Sequence, residues 1–196
     1  MRRGRRVLAV IACSAALASL AGCANSAEGV SAPDCGDPSN HLVVLMAQSV
    51  PSATLIPCVS SMPTGWSFTD AVVQNNVTKM WLSSTVAGMN SVELQLTPSC
   101  DPAGAPEVVP APDEAGAHVY AAPTSLDPFR GTRFIVFPGG CVQYIYRFAG
   151  GVPATLSLQA DDAFSFVSRT RVVQAVRDEF DQTLCGAGAP PCEGDR

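Results

Sequence analysis

Cysteine is the residue with the widest chemical reach in this chain. Eight occur, at Cys13, Cys23, Cys35, Cys58, Cys100, Cys141, Cys185 and Cys192. Thiols can ligate a soft metal, attack a substrate or oxidise in pairs. No Cys-x-x-Cys and no His-x-x-x-His pair occurs, so zinc-ligand spacing is missing and no metal is expected. The histidines are His41 and His118, and no serine sits in a Gly-x-Ser-x-Gly elbow. A triad through His118 and Asp113 therefore lacks a nucleophile. Asp161-Asp162 and Asp113-Glu114 supply paired carboxylates, but neighbours on a helix diverge by about 100° and read as solvated surface. Met46, Met62, Met80 and Met89 with His41 offer soft donors for copper, without a repeating spacing; apolar positions assign such Met to the core. Arg130, Arg133 and Arg147 gather on and beside one hairpin, with Arg133 and Arg147 as expected neighbours across it. They make either an anion contact or salt bridges to Asp127 or Glu93. Trp81, Tyr120, Tyr144 and Tyr146 are either a stacking face for a sugar ring or core. Gly139-Gly140 is a turn, not a phosphate loop, and no cofactor is expected.

The N-terminus carries a different chemistry. Residues 1–6 are Arg-rich, and residues 7–20, VLAVIACSAALASL, are apolar and uncharged. This run suits a signal peptide and is short for a membrane span, which takes about 20 apolar residues. It ends in Leu20-Ala21-Gly22-Cys23, which resembles a bacterial lipobox. The resemblance implies cleavage between Gly22 and Cys23, a diacylglyceryl thioether (with palmitate-type chains) on Cys23, and attachment to the extracytoplasmic face of the cell membrane. The plain alternative is a soluble secreted protein cleaved nearby. Arg5-Arg6 matches a twin-arginine signal only loosely, so general secretion is the expected route.

Removing 1–22 leaves 174 residues, enough for one domain with a real core. The organisation expected is a leader over 1–22, a lipidated tether over 23–38 and a single domain over 39–196. Arg2, Arg3, Arg5 and Arg6 leave with the leader, so eight basic residues face seventeen acidic ones, a net charge of −9. Such a chain should not bind nucleic acid or seek anionic lipid electrostatically. With Cys13 discarded and Cys23 acylated, an even set of six cysteines remains, expected to form disulfides outside the cytoplasm. Six cysteines allow 15 pairings. Proximity suggests Cys185–Cys192, then Cys35–Cys58 and Cys100–Cys141.

Several elements must position these residues. Asn40 can cap a helix over 41–49, although the run Leu42–Met46 also fits a buried strand. Residues between Pro51 and Trp66 read as loop. Period-two alternation predicts strands over 67–74, 77–83 and 91–97. The Pro- and acid-rich stretch 100–116 reads as a long loop. A short strand over 117–121 precedes a hairpin of 133–137 and 141–148, which should turn Val142, Tyr144, Tyr146 and Phe148 inward. Helices are expected over 154–166 and, capped by Ser168, over 169–183, with Gly186 as its stop. The fold class is α+β: a curved antiparallel sheet of about five to six strands, with N- and C-terminal helices on one face.

The stretches Ser49–Cys58, Met62–Trp66, Phe137–Cys141 and Leu184–Gly186 resemble patterns in small actinobacterial envelope proteins of unassigned activity. Their motifs are turns, cysteines and a buried Trp, so the resemblance implies a fold and a location and carries no catalytic residue. The function expected is a non-catalytic binding or accessory lipoprotein, whose partner is an envelope protein or ligand. Two alternatives have structural signatures. An envelope hydrolase built from separated Asp, Arg and Ser residues predicts a concave pocket with convergent ionisable groups. A carrier of a lipid or other apolar ligand predicts an apolar cavity between sheet and helices.

Overall fold

The computed structural model describes residues 31–102, 104–111 and 116–192. Cys13, Gly22, Cys23, Asp113 and Glu114 lie outside them. The elements in chain order are α1 (His41–Ser49), β1 (Leu55–Val59), β2 (Trp66–Gln74), β3 (Val77–Ser84), β4 (Gly88–Thr97), β5 (Glu107–Val108), β6 (His118–Leu126), β7 (Phe129–Phe137), β8 (Gly140–Arg147), α2 (Leu156–Ala163), β9 (Phe164–Ser168) and α3 (Arg169–Phe180).

The architecture is α+β, with an open antiparallel sheet of seven strands in the order β2-β3-β4-β8-β7-β6-β5. A second, two-stranded sheet pairs β1 with β9. The large sheet exceeds the expected five to six strands and the second sheet was not expected, for identifiable reasons. β5 is a two-residue strand inside the stretch read as loop, too short to show a period. β1 contains Pro57, which cannot donate to a ladder and makes the run look like loop. It tolerates that proline because the ladder to β9 runs through alternate residues, with Arg169 N–H on Thr54 O and Ser60 N–H on Ala163 O, so the Pro57 nitrogen faces away from β9. β9 itself was hidden in the expected 154–166 helix. That helix ends at Ala163, and the aromatic and β-branched run Phe164–Ser168 goes extended, burying Phe164 and Val167. β6 runs to Leu126, well past the expected 121, and absorbs Pro123 at a register shift. α3 stops at Phe180 because Asp181 turns left-handed, φ 53°, and donates its N–H to Arg177 O; Gly186 is not the stop.

The inner face of the large sheet is the one carrying Met80, Leu82, Leu94, Leu96, Val142, Tyr144 and Tyr146, all buried. Onto it pack α1, through a Ser49–Thr78 hydroxyl pair at 2.8 Å, and β9, through Phe164 against Tyr144. Asn40 caps α1 by accepting from Leu42 N–H, so 41–49 is helix and the strand reading fails. At the β7–β8 turn, Gly139 has φ +73°, and a Cβ there would lie 1.9 Å from Ser52 O. Disulfides Cys35–Cys58, Cys100–Cys141 and Cys185–Cys192 staple the domain, each contributing about 2–4 kcal/mol. Arg169, only 2% exposed, is a fourth tie: its guanidinium donates to Ala47 O at 2.6 Å, Val50 O at 3.4 Å and Cys185 O at 2.5 Å. Among the described residues no helix is long and apolar enough to cross a membrane.

The outer face carries a charge network. Glu93 accepts from Arg147 at 2.8 Å and from Gln95 at 2.6 Å, and Lys79 stands 3.5 Å away. Burial pushes the Glu93 carboxyl up, but the hydrogen bonds and charges outweigh it, so its pKa lies below the ordinary 4.5. A carboxylate with a depressed folded-state pKa stabilises the fold above the unfolded pKa and loses that contribution as pH falls through the folded value. Glu93→Gln is therefore expected to flatten the acid limb of stability below about pH 4.5, seen in Tm measured across that range. An acid limb identical to wild type would remove Glu93 from the account.

Candidate functional site

Sheet and helix part company on one side of the molecule. In the middle of the inner face, Tyr144 and Tyr146 fill the gap to the overlying layer. Towards the β5 edge the strands carry small side chains: Ala121 and Pro123 on β6, paired with Arg133 and Gly131 on β7. Of these, Arg133 reaches α2 at Asp161, and the small side chains beside it leave space under the helix. The result is a cleft of about 540 Å³, within the usual range for a small-molecule site. Its walls are Val108–Ala111, Ala121–Pro123, Leu126, Phe129 and Gly131 on the sheet side and Ala154, Ser157 and Leu158 on the α2 side. The lining is overwhelmingly apolar. Val109, Leu126 and Leu158 form its rim and are 90%, 72% and 62% exposed.

The polar part of the cleft is one compact cluster. Asp161, on α2, receives Arg133 Nη1–H on Oδ2 at 2.8 Å, and the Tyr146 hydroxyl donates to Oδ1. Strand alternation aims Tyr146 inward from β8, the β7–β8 register sets Arg133 opposite Tyr144, and the helical turn brings Asp161 over both. Arg133 and Asp161 side chains are 16% and 14% exposed, so the pair is largely withdrawn from water. Burial, then the Asp161 charge and hydrogen bond, raise the Tyr146 pKa well above 10.0. The phenol stays protonated at physiological pH and cannot act as a base. Both Asp161 oxygens are engaged, and the Ser157 hydroxyl donates to Ala154 O at 2.8 Å. The cluster is a polar anchor within an apolar wall; it lacks the nucleophile–base contact that hydrolysis requires.

A smaller recess of about 210 Å³ adjoins the cleft, shares Ala111, Arg133 and Asp161 with it, and is closed by Ser60, Asp162, Phe164 and Ser165. The N-terminal segment docks beside it. Val59 N–H donates to Pro33 O at 2.6 Å, Cys35 N–H donates to Val59 O at 3.2 Å, and the Cys35–Cys58 disulfide holds the pair.

The structure separates the three arginines expected to cluster. Arg133 and Arg147 are not neighbours: the register pairs Arg130 with Arg147 on the outer face and Arg133 with Tyr144 on the inner face. Arg147 is paired with Glu93. Arg130 donates to Phe129 O and Phe148 O, while Asp127 accepts instead from Gly151 N–H at 2.8 Å. A common anion site is thus dismantled by the two-residue period of the strand. His118 is exposed and bonds Glu107 at 2.9 Å; His41 is exposed at the start of α1. Met46 and Met80 are core, whereas Met89 is 89% exposed. Tyr144 and Tyr146 are buried and stacked on each other, on the face opposite Trp81, so the four aromatics make no sugar platform. Among the described residues no three His, Cys, Asp or Glu side chains converge to hold a metal ion.

Sequence reasoning placed Asp161 on solvated surface and missed its role in the cleft. The signal was indirect: Tyr146 was expected inward, and a cluster of small residues in β6 and β7 left room above it. Comparison with protein-family models, curated proteins and solved structures gave no match for the chain.

Proposed function

We propose that this protein is a lipid-anchored, extracytoplasmic binding protein of the cell envelope that holds an apolar ligand in the cleft between β6, β7 and α2. The observation that carries this reading is the cleft itself: an aliphatic wall and rim with a single polar cluster at one side. Such a site suits a ligand with an apolar body and one hydrogen-bonding group, since the body gains by leaving water and the Arg133–Asp161–Tyr146 cluster orients the head. The lipobox-like Cys23 supports attachment at the membrane, and the three disulfides suit an oxidising compartment. Because both oxygens of Asp161 are engaged and Tyr146 holds its proton, binding is favoured over hydrolysis.

The test is what the protein carries. Organic extraction of the purified protein and mass spectrometry should return one apolar compound enriched over bulk membrane lipid. Ala121→Trp fills the cleft from β6, where an aromatic residue suits the strand. It should lower that compound at least tenfold at unchanged circular dichroism. A lipid profile equal to bulk membrane in both proteins would end the reading, and so would turnover of generic ester, phosphate or glycoside substrates abolished by Ala121→Trp.

A further inference from the structure

The cleft and the place where the N-terminal segment joins the domain adjoin each other through the smaller recess. Val109, Leu126 and Leu158 come from three separate parts of the chain: the segment after β5, the end of β6 and α2. All three bound the cleft and are among the most exposed large apolar side chains described. Convergence of three such residues on one mouth differs from the scattered exposure that soluble surfaces tolerate. The N-terminal segment joins the domain at Pro33–Cys35, against Val59, and the next residue, Ser60, lines the recess that shares Arg133 and Asp161 with the cleft. Pro33 lies ten positions after Cys23, so even fully extended this segment reaches only about 35 Å. A lipid on Cys23 thus keeps this side of the domain within about one domain diameter of the bilayer.

Resting on the reading of Cys23 as the anchor and of the cleft as an apolar-ligand site, we propose that Val109, Leu126 and Leu158 form a membrane-contact surface. The rim seats in the outer leaflet of the membrane that holds the anchor, and the cleft opens onto the acyl chains of its phospholipids. The mature chain is strongly acidic, and the rim carries no lysine or arginine. Contact therefore comes from apolar burial at the interface, not from attraction to anionic head groups, and is insensitive to salt.

The experiment uses the full mature lipidated protein in phosphatidylcholine vesicles. Leu126→Cys and Leu158→Cys are each labelled with an environment-sensitive fluorophore; Asn75→Cys, in the turn between β2 and β3 at the opposite edge of the sheet, is the control. Co-flotation and circular dichroism establish that each variant is anchored and folded. The rim labels should shift to the blue and be quenched by nitroxide-bearing phospholipid at least threefold more than Asn75, equally in low and high salt. Rim labels that behave like the control would overturn the proposal. A blue shift that rises with protein density and resists nitroxide lipid would also overturn it, because a second copy then covers the rim. A failed co-flotation removes the anchor and with it the proposal. The extraction assay separates this inference from the binding reading: a loaded cleft with unquenched rim labels rejects the contact alone, and quenched labels with no enriched ligand reject the ligand reading and the opening of the cleft onto acyl chains but keep the rim's membrane contact.

Discussion

Arg169→Met is expected to lower the folding free energy by about 3 kcal/mol, from unpaired carbonyls that each cost about 1–3 kcal/mol. Arg169 is the largest of the fully buried side chains, and its described partners are all backbone carbonyls: Ala47 and Val50 at the C-terminal end of α1, and Cys185 after α3. The end of a helix carries partial negative charge on carbonyls with no intrahelical partner, so a guanidinium fits it without a carboxylate. Burial takes the guanidinium partly out of water, which disfavours its charged form and lowers the Arg169 pKa. Methionine recovers that cost and keeps most of the volume, but takes this donor from Ala47 O and Cys185 O, while Val50 O keeps the Ala53 N–H at 3.1 Å. It also unties the Cys185–Cys192 loop from α1. Gly186 adds to the constraint, since a Cβ there would meet Pro51 O at 2.4 Å, so the loop has no easy alternative seat. Arg169→Lys should lose less, because an ammonium keeps the charge but cannot span both sets of carbonyls as a planar fork does. Urea unfolding should show the midpoint falling in the order wild type, Arg169→Lys, Arg169→Met, with an unchanged slope. A midpoint unmoved by Arg169→Met would mean the carbonyls find other partners.

Cys23→Ala is expected to abolish acylation outright, an all-or-none effect where the other changes are graded. The thioether needs the Cys23 sulfur, and alanine offers no substitute. Anchoring by two acyl chains is durable because each buried CH₂ contributes about 0.8 kcal/mol, while a single chain binds only marginally. The alanine variant should therefore fail to incorporate a labelled fatty acid and should leave the detergent phase on partitioning. The six later cysteines and their bonds should be unaffected, since none pairs with Cys23. Fatty-acid label on the alanine variant would refute the anchor assignment.

How far the fold was legible depended on whether each signal was local. α1 could be read because its cap, Asn40, and its stop lie within a turn of its ends. β2, β3, β4, β7 and β8 could be read because half-burial imposes a period of two on adjacent residues, and the hairpins joining them have short turns. β1 and β9 were not legible because each is stabilised mainly by the other: Cys58 opposes Ser165 across the ladder, more than a hundred residues apart. Phe164 and Val167 continue a helical spacing in sequence yet become strand when β1 offers hydrogen bonds. The same limit applied to the arginines. Alternation alone gives each strand two faces, but the register decides which arginines share one, and it placed Arg133 apart from Arg130 and Arg147.

The amino-acid sequence by itself determined the properties that composition and local spacing carry. These are an acidic chain, an apolar N-terminal run followed by the lipobox-like Leu20–Cys23, an even set of six cysteines after it, an antiparallel α+β fold and the inward face of β8. The tertiary structure alone decided what those elements enclose. Ala121, Pro123 and Gly131 are unremarkable small residues until pairing puts them side by side, and Asp161 is a surface carboxylate until α2 lies over Arg133 and Tyr146. A cleft is space left between elements, set by which side chains fail to meet across the sheet–helix gap. No residue's neighbours in sequence encode that, so it exists only once the chain has closed on itself.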